Sequence, residues 1–314
     1  MQSWRKRFLI YKILGALPYG QGMMNTIRRR VSNLSDYDFK TRAYLFEDFR
    51  SLYAENILPV NGSSFIEIGA GWHPVLSLIL YGLGAKRVVL TDVYRHMRCQ
   101  YVQQTINYVR SEGVAALSKL EDDLDLKSFQ ERLDALVGAE STVFERLEEV
   151  GIEYQAPLDF CKNPFHDDEF DCIVSNSCLG YIPAPILQGI FQESSRVLRP
   201  GGCMFHSIHV LDDYSGTDKT ISRVNFLQYS AEEWERIGNT SLHYQNRLRP
   251  RDYVRMAQNV GFDIEIEDRI HMEIPGHSTA SLAPEFQTLP EEEIFCRRLF
   301  LVARRQLSEQ PAPV

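Results

Sequence analysis

The sequence predicts an α/β fold: a doubly wound, mostly parallel seven-stranded sheet with an antiparallel strand near one edge, plus a helical N-terminal cap and a helical insertion. Three observations carry this. "SSFIEIGAG", "PVLSLILYGLG" and "KRVVLTDV" read as strand, helix, strand, a βαβ unit whose strands must run parallel. Most later strands are likewise separated by helices. The two closing strands, "DIEIED" and "IFCRRLFLVARR", read as an antiparallel pair.

In chain order, residues 4–30 and 38–57 have helical spacing, broken by the turn-rich "ALPYGQG" and "SNLSDYD". They form a helical cap over 1–58, ahead of the main domain at 59–304. Residues 95–148 place apolar side chains at three-and-four spacing and predict two or three helices, of which about 113–148 is an insertion. Strand character returns at "IEYQAPLD" and "FDCIVSNS". The helix "APILQGIFQESSRVL" is stopped by "RPGG", and the strand "CMFHSIHV" follows. After a polar segment at about 211–249, "RPRDYVRMAQNVGF" is the last long helix, and 305–314 is a flexible tail.

At 314 residues, 44% hydrophobic and 24% charged, the chain has the composition of a soluble globular protein with a sizeable core. A net charge of -8 offers no global attraction for nucleic acid. The six cysteines have neither CxxC pairing nor metal-ligand spacing, so they read as reduced thiols of a cytoplasmic protein without a metal. No apolar run is long enough to span a membrane, and the N-terminus lacks the h-region and cleavage site of a signal peptide. Its basic residues flank a short apolar core, which reads as a packed capping helix, with contact to a membrane surface as the alternative.

The chemistry centres on "FIEIGAGWHP". A buried strand ending in Gly69-Ala70-Gly71 brings bare backbone to its carboxyl edge, where a ligand can lie without meeting a Cβ. Glu67, between Ile66 and Ile68, is costly to bury without partners, and Asp92 with Val93 closes the next strand. A dinucleotide site needs a third glycine, which Trp72-His73-Pro74-Val75 does not supply.

These residues resemble the class I S-adenosylmethionine-dependent methyltransferases, whose fold is Rossmann-like. Glu67, Gly69 and Gly71 match the first motif of that family and Asp92 its ribose-binding acid. Asp159-Phe160 resembles the pair beside the adenine. "NPFHDDEFDCIVSNSCLGYI" and "SSRVLRPGGCMFHS" are similar to its fourth and fifth strands with their turns, so the likeness runs in order over about 60–210. It implies S-adenosyl-L-methionine as cofactor, held by Glu67, Gly69, Ala70, Gly71, Asp92, Val93, Asp159, Phe160, Ser175 and Asn176.

The carboxyl ends of the fourth and fifth strands nominate Ser175, Asn176, His206 and His209 for the acceptor. Alternation puts the two histidines on opposite faces, and His209 is the candidate general base, with Asn176 and Tyr214 aligning the acceptor. Arg247 and Arg249 are candidates to clamp a carboxylate or phosphate. The reading is methylation, at oxygen first, of a small-molecule acceptor, with a homodimer compatible and 113–148 expected as a lid or subunit contact. A membrane-associated lipid or glycan precursor as acceptor, and a non-catalytic cofactor-binding regulator, stay open as alternatives.

Overall fold

The computed structural model describes residues 3–31, 60–118, 124–138, 141–272 and 281–307. Seven strands form one sheet: β1 (Ser64–Ile68), β2 (Arg87–Thr91), β3 (Ile152–Gln155), β4 (Phe170–Asn176), β5 (Leu198–His209), β6 (Phe262–His271) and β7 (Cys296–Arg305). Their order is β3-β2-β1-β4-β5-β7-β6. The first five run parallel, and β7 is antiparallel to both neighbours, inserted between β5 and β6. The chain therefore winds outward in both directions from β1 and β4, and a crevice opens where those strands part.

The helices are α1 (Ser3–Ala16), α2 (Gly20–Val31), α3 (Val75–Gly82), α4 (Cys99–Leu117), α5 (Leu126–Asp134), α6 (Val143–Glu149), α7 (Ala184–Val197), α8 (Ala231–Ile237), α9 (Pro250–Gln258), and the single turns α10 (Pro284–Gln287) and α11 (Glu291–Ile294). Strand alternation sorts the core into two layers. Phe65, Val88, Val174 and Phe205 face α3 and α4, whereas Ile66, Val89, Ile173 and Met204 face α7 and α9. The central strands β1, β2 and β4 are buried on both faces, which is why they read as apolar runs, whereas the edge strand β6 alternates with polar residues.

A third cluster lies outside the sheet. Trp4 of α1 is buried against Tyr214, Tyr229 and Trp234, the last at 6.1 Å between ring centroids, and its backbone N–H donates to Asp218 Oδ2 at 2.9 Å. The N-terminal helix is thereby anchored on the polar segment after β5. The expected helix at 38–57 lies outside the described residues, as does the tail from 308.

Three expectations need correction. The insertion is not a lid over the cavity: none of its described residues lines it. Phe129 of α5 is instead fully buried against Gly82 and Gly113, and Arg132 donates to the carbonyls of Tyr81 and Ala85. Its apolar side is consumed by α3 and α4. The "RPGG" turn does not precede β5 but lies inside it, because Leu198 already pairs with Phe170. The strand read over "IEYQAPLD" stops at Gln155, where Pro157 removes a ladder donor.

Candidate functional site

A cavity of about 740 Å³ opens at the crevice between the carboxyl ends of β1 and β4. Its floor is Ile68, Gly69 and Gly71 from the turn after β1, with Asn176, Ser177 and Cys178 from the turn after β4. Gly69 and Gly71 have φ of 72° and 67°, a region that favours glycine. A Cβ on Gly69 would lie 2.6 Å from Cys178 Cβ, so the two turns approach as closely as a bare backbone permits. A Cβ on Gly71 would meet only Gly69 O, at 3.9 Å, so its cavity side is unobstructed by protein.

Asp92 holds this turn in shape. Its Oδ2 accepts from the N–H of Gly71 at 3.0 Å and its Oδ1 from that of Tyr94 at 2.9 Å. Each carboxylate oxygen keeps a lone pair for a ligand hydroxyl. Leu158, Asp159, Phe160, Ile186 and Ile190 wall the next part of the cavity. Asp159 accepts from the N–H of Cys161 and so caps the short turn that presents Phe160. Trp72 stacks on His96 at 4.6 Å along the same wall.

Of the residues implied as cofactor-binding, Gly69, Gly71, Asp92, Val93, Asp159, Phe160 and Asn176 line the cavity. Glu67, Ala70 and Ser175 do not. Glu67 is turned beneath the turn, where its carboxylate accepts a hydrogen bond from Ser77 of α3; burial pushes its pKa up to about 7. The N–H of Ala70 is spent on Thr91 O at 3.0 Å. Ser175 is buried, with its Oγ 2.8 Å from His206 Nδ1, and burial pushes His206 down to about 3.

The catalytic assignments for His209 and Tyr214 do not survive. Neither lines the cavity. Alternation carries His209 to the face shared by Phe205 and Ser207, within electrostatic reach of Arg297, Arg298 and Arg223, and burial lowers its pKa. Tyr214 is fully buried, its hydroxyl donating to Gly238 O at 2.8 Å. Arg247 and Arg249 are no clamp either. Arg249 is buried and donates to the carbonyls of Val210, Glu293, Ile294 and Cys296, while Arg247 bonds those of Phe226 and Tyr229 and pairs with Glu285 at 3.2 Å.

The other half of the cavity is a set of residues that the strand-end argument missed. Asp213 and His243 line it together, with His243 Nε2 3.9 Å from Asp213 Oδ2. Tyr181 donates to Asp213 Oδ1 at 3.2 Å, and Arg7 of α1 pairs with Oδ2 at 3.4 Å. Burial lowers His243 to about 4, against the opposing pull of Asp213, so its imidazole is neutral at pH 7. The rings of Tyr11 and Tyr214 pack against it at 5.2 and 4.8 Å. Asn246 steadies the facing turn by donating to Leu179 O and Ile182 O, both at 2.8 Å. The available signal was a histidine between Leu242 and Tyr244 inside the polar segment at about 211–249.

Fold and site together are those of the class I S-adenosylmethionine-dependent methyltransferases. Residues 29–266 match the family model described as a methyltransferase domain, and the chain belongs to that family. Over 111 residues it is 29% identical to a sterol 24-C-methyltransferase of Yarrowia lipolytica and, over the same length, 31% identical to that of Schizosaccharomyces pombe. These matches take in 35% of this chain and 26% of each relative, so the chain spans about a quarter of the length of the curated relatives it matches. Among solved structures, a methyltransferase from Methanosarcina mazei aligns with a TM-score of 0.45 at 17% identity, over 82% of this chain and 98% of that one. One from Mesorhizobium loti gives the same TM-score, 0.45, and identity, 17%, over 82% and 97%.

The cofactor of this class, S-adenosylmethionine, fits the residues present. The bare edge at Gly71 would admit its methionine end, the Asp92 carboxylate would accept from two ribose hydroxyls, and Phe160 with Ile186 and Ile190 would give the adenine an apolar slot. Among the described residues, no group of three or more His, Cys, Asp or Glu is placed to hold a metal ion. No described helix is long and apolar enough to cross a membrane.

Proposed function

We propose that the chain methylates an acidic hydroxyl, phenolic or enolic, on a small and largely apolar acceptor, with His243 as general base. The observation that carries this is the neutral His243 beside the Asp213 carboxylate in the same cavity as Gly71 and Asp92. Bound at the glycine turn, S-adenosylmethionine supplies an electrophilic methyl group on a positively charged sulfur that departs as a neutral thioether. Tyr181, Ile182, Leu242 and Tyr244 give the acceptor an apolar, aromatic wall and exclude water. His243 accepts the hydroxyl proton, and Asp213 stabilises the imidazolium that results. Proton transfer to an imidazole lowered to about 4 is less uphill from a phenolic or enolic hydroxyl than from an ordinary alcohol, which ranks the acidic acceptors first.

In this reading, α1 and α2 cap the acceptor side of the cavity through Arg7, Gln21 and Arg28, and 211–249 supplies the acceptor wall. The free cysteines support a cytoplasmic setting. The test is transfer of a labelled methyl group from S-adenosylmethionine to panels of phenols, enols, aliphatic alcohols and amines. Label on the phenol or enol oxygen, lost in His243→Ala, supports the proposal; turnover confined to amines or carbon acceptors overturns it.

A further inference from the structure

We propose that α1 and α2 dock the protein onto the surface of an anionic lipid bilayer. The inner face of α1 is used up: Trp4 and Tyr11 are buried against the segment after β5. Yet the outer face is also apolar. Leu9, Ile10, Ile13 and Leu17 recur at helical spacing on the solvent side, with Ile10 53% and Ile13 55% exposed. Tyr19, in the turn to α2, is 89% exposed, and Met23 and Ile27 extend the patch along α2. A helix apolar on both sides has a second face to bury.

Charge selects the occupant. The first 31 residues contain seven lysines and arginines and no acidic residue, in a chain of net charge -8. Arg5, Lys6 and Lys12 are exposed on α1 beside the apolar stripe. Apolar residues set among cations are the combination that an interfacial helix presents to anionic headgroups, its side chains entering the acyl boundary while the cations stay with the phosphates. A second copy is a poor partner, because a two-fold interface would set this cationic face against itself. No described helix can span a membrane, so the contact is peripheral. The same two helices contribute Arg7, Gln21 and Arg28 to the cavity wall, so docking holds the cavity close to the lipid surface.

Sedimentation of the full chain with vesicles tests this. The protein should pellet with phosphatidylcholine vesicles containing phosphatidylglycerol and at least about tenfold less with phosphatidylcholine alone, and added salt should release it. Ile10→Glu with Ile13→Glu should abolish pelleting, and Lys6→Glu with Lys12→Glu should reduce it severalfold. All four positions are exposed, and an unchanged melting temperature and S-adenosylmethionine affinity show that each variant is folded. Wild-type protein remaining in the supernatant with anionic vesicles overturns the proposal, as does pelleting indifferent to either pair of substitutions. Concentration-dependent self-association that the isoleucine variant loses, without vesicle binding, assigns the face to a second copy instead.

Discussion

Asp213 and His243 lie side by side in the cavity wall with 3.9 Å between Oδ2 and Nε2, although one follows β5 and the other lies thirty positions further along an irregular segment. Tyr181 and Arg7 converge on the same carboxylate, so the pair is positioned by three separate parts of the chain. His243→Ala should lower turnover by roughly 10²- to 10⁴-fold and leave S-adenosylmethionine affinity nearly unchanged. His209→Ala, outside the cavity, should keep saturated turnover. Steady-state kinetics with calorimetry separate the two, and equal losses in both variants would remove His243 from the role of base.

The same pair sets a pH dependence. With His243 as the proposed base, the neutral imidazole is the form that turns over; burial lowers it to about 4, so kcat should stay level as pH falls from 8 to about 5 and decline only through the region of 4. Asp213→Asn withdraws the one neighbour that raises this pKa, and the decline should move lower. A wild-type profile that instead drops near 6.5 would point to an exposed histidine.

Asp92 joins the glycine turn and reaches the cavity at once. Asp92→Ala should weaken S-adenosylmethionine binding by about 1.5 to 3 kcal/mol, the range for losing charge-assisted hydrogen bonds. Calorimetric titration measures it, and an unchanged Kd would leave Asp92 as a turn residue only.

Glu67 makes stability depend on pH. Its folded pKa of about 7 exceeds the ordinary 4.5, so the folded form keeps a proton that the unfolded chain gives up. The contribution is complete below pH 4.5 and is lost as pH rises through 7. Glu67→Gln cannot ionise, so its stability relative to wild type should climb between those limits, by the order of ~3 kcal/mol, and then level off. Urea unfolding of both proteins from pH 5 to 8 reads the slope; parallel curves would show that Glu67 is ionised in the folded state throughout.

Arg249 satisfies four buried carbonyls, and Arg247 is partly exposed. Arg249→Ala should therefore cost more than ~3 kcal/mol of stability, and Arg247→Ala about 1 kcal/mol. Thermal or denaturant unfolding ranks them. The reverse order would return Arg247 to the structural core and Arg249 to the list of ligand contacts.

The sequence by itself determined the frame and the half of the cavity wall that holds Gly69, Gly71, Asp92, Asp159 and Phe160. A strand buried on both faces has to be a continuous apolar run, and a backbone that a ligand must approach has to be glycine. Both constraints act within a few residues, so "FIEIGAG", "VVLTDV" and "LDF" were legible as they stand. Only the tertiary structure decided which side chains line the other half. Whether His209 or His243 meets the cavity depends on how the irregular segment folds back under Trp4 and Trp234, and whether Arg249 binds a ligand or four carbonyls depends on which backbone ends surround it. The direction of a side chain in a strand follows from alternation, but in a segment without periodicity it is set by long-range packing, which local spacing does not encode.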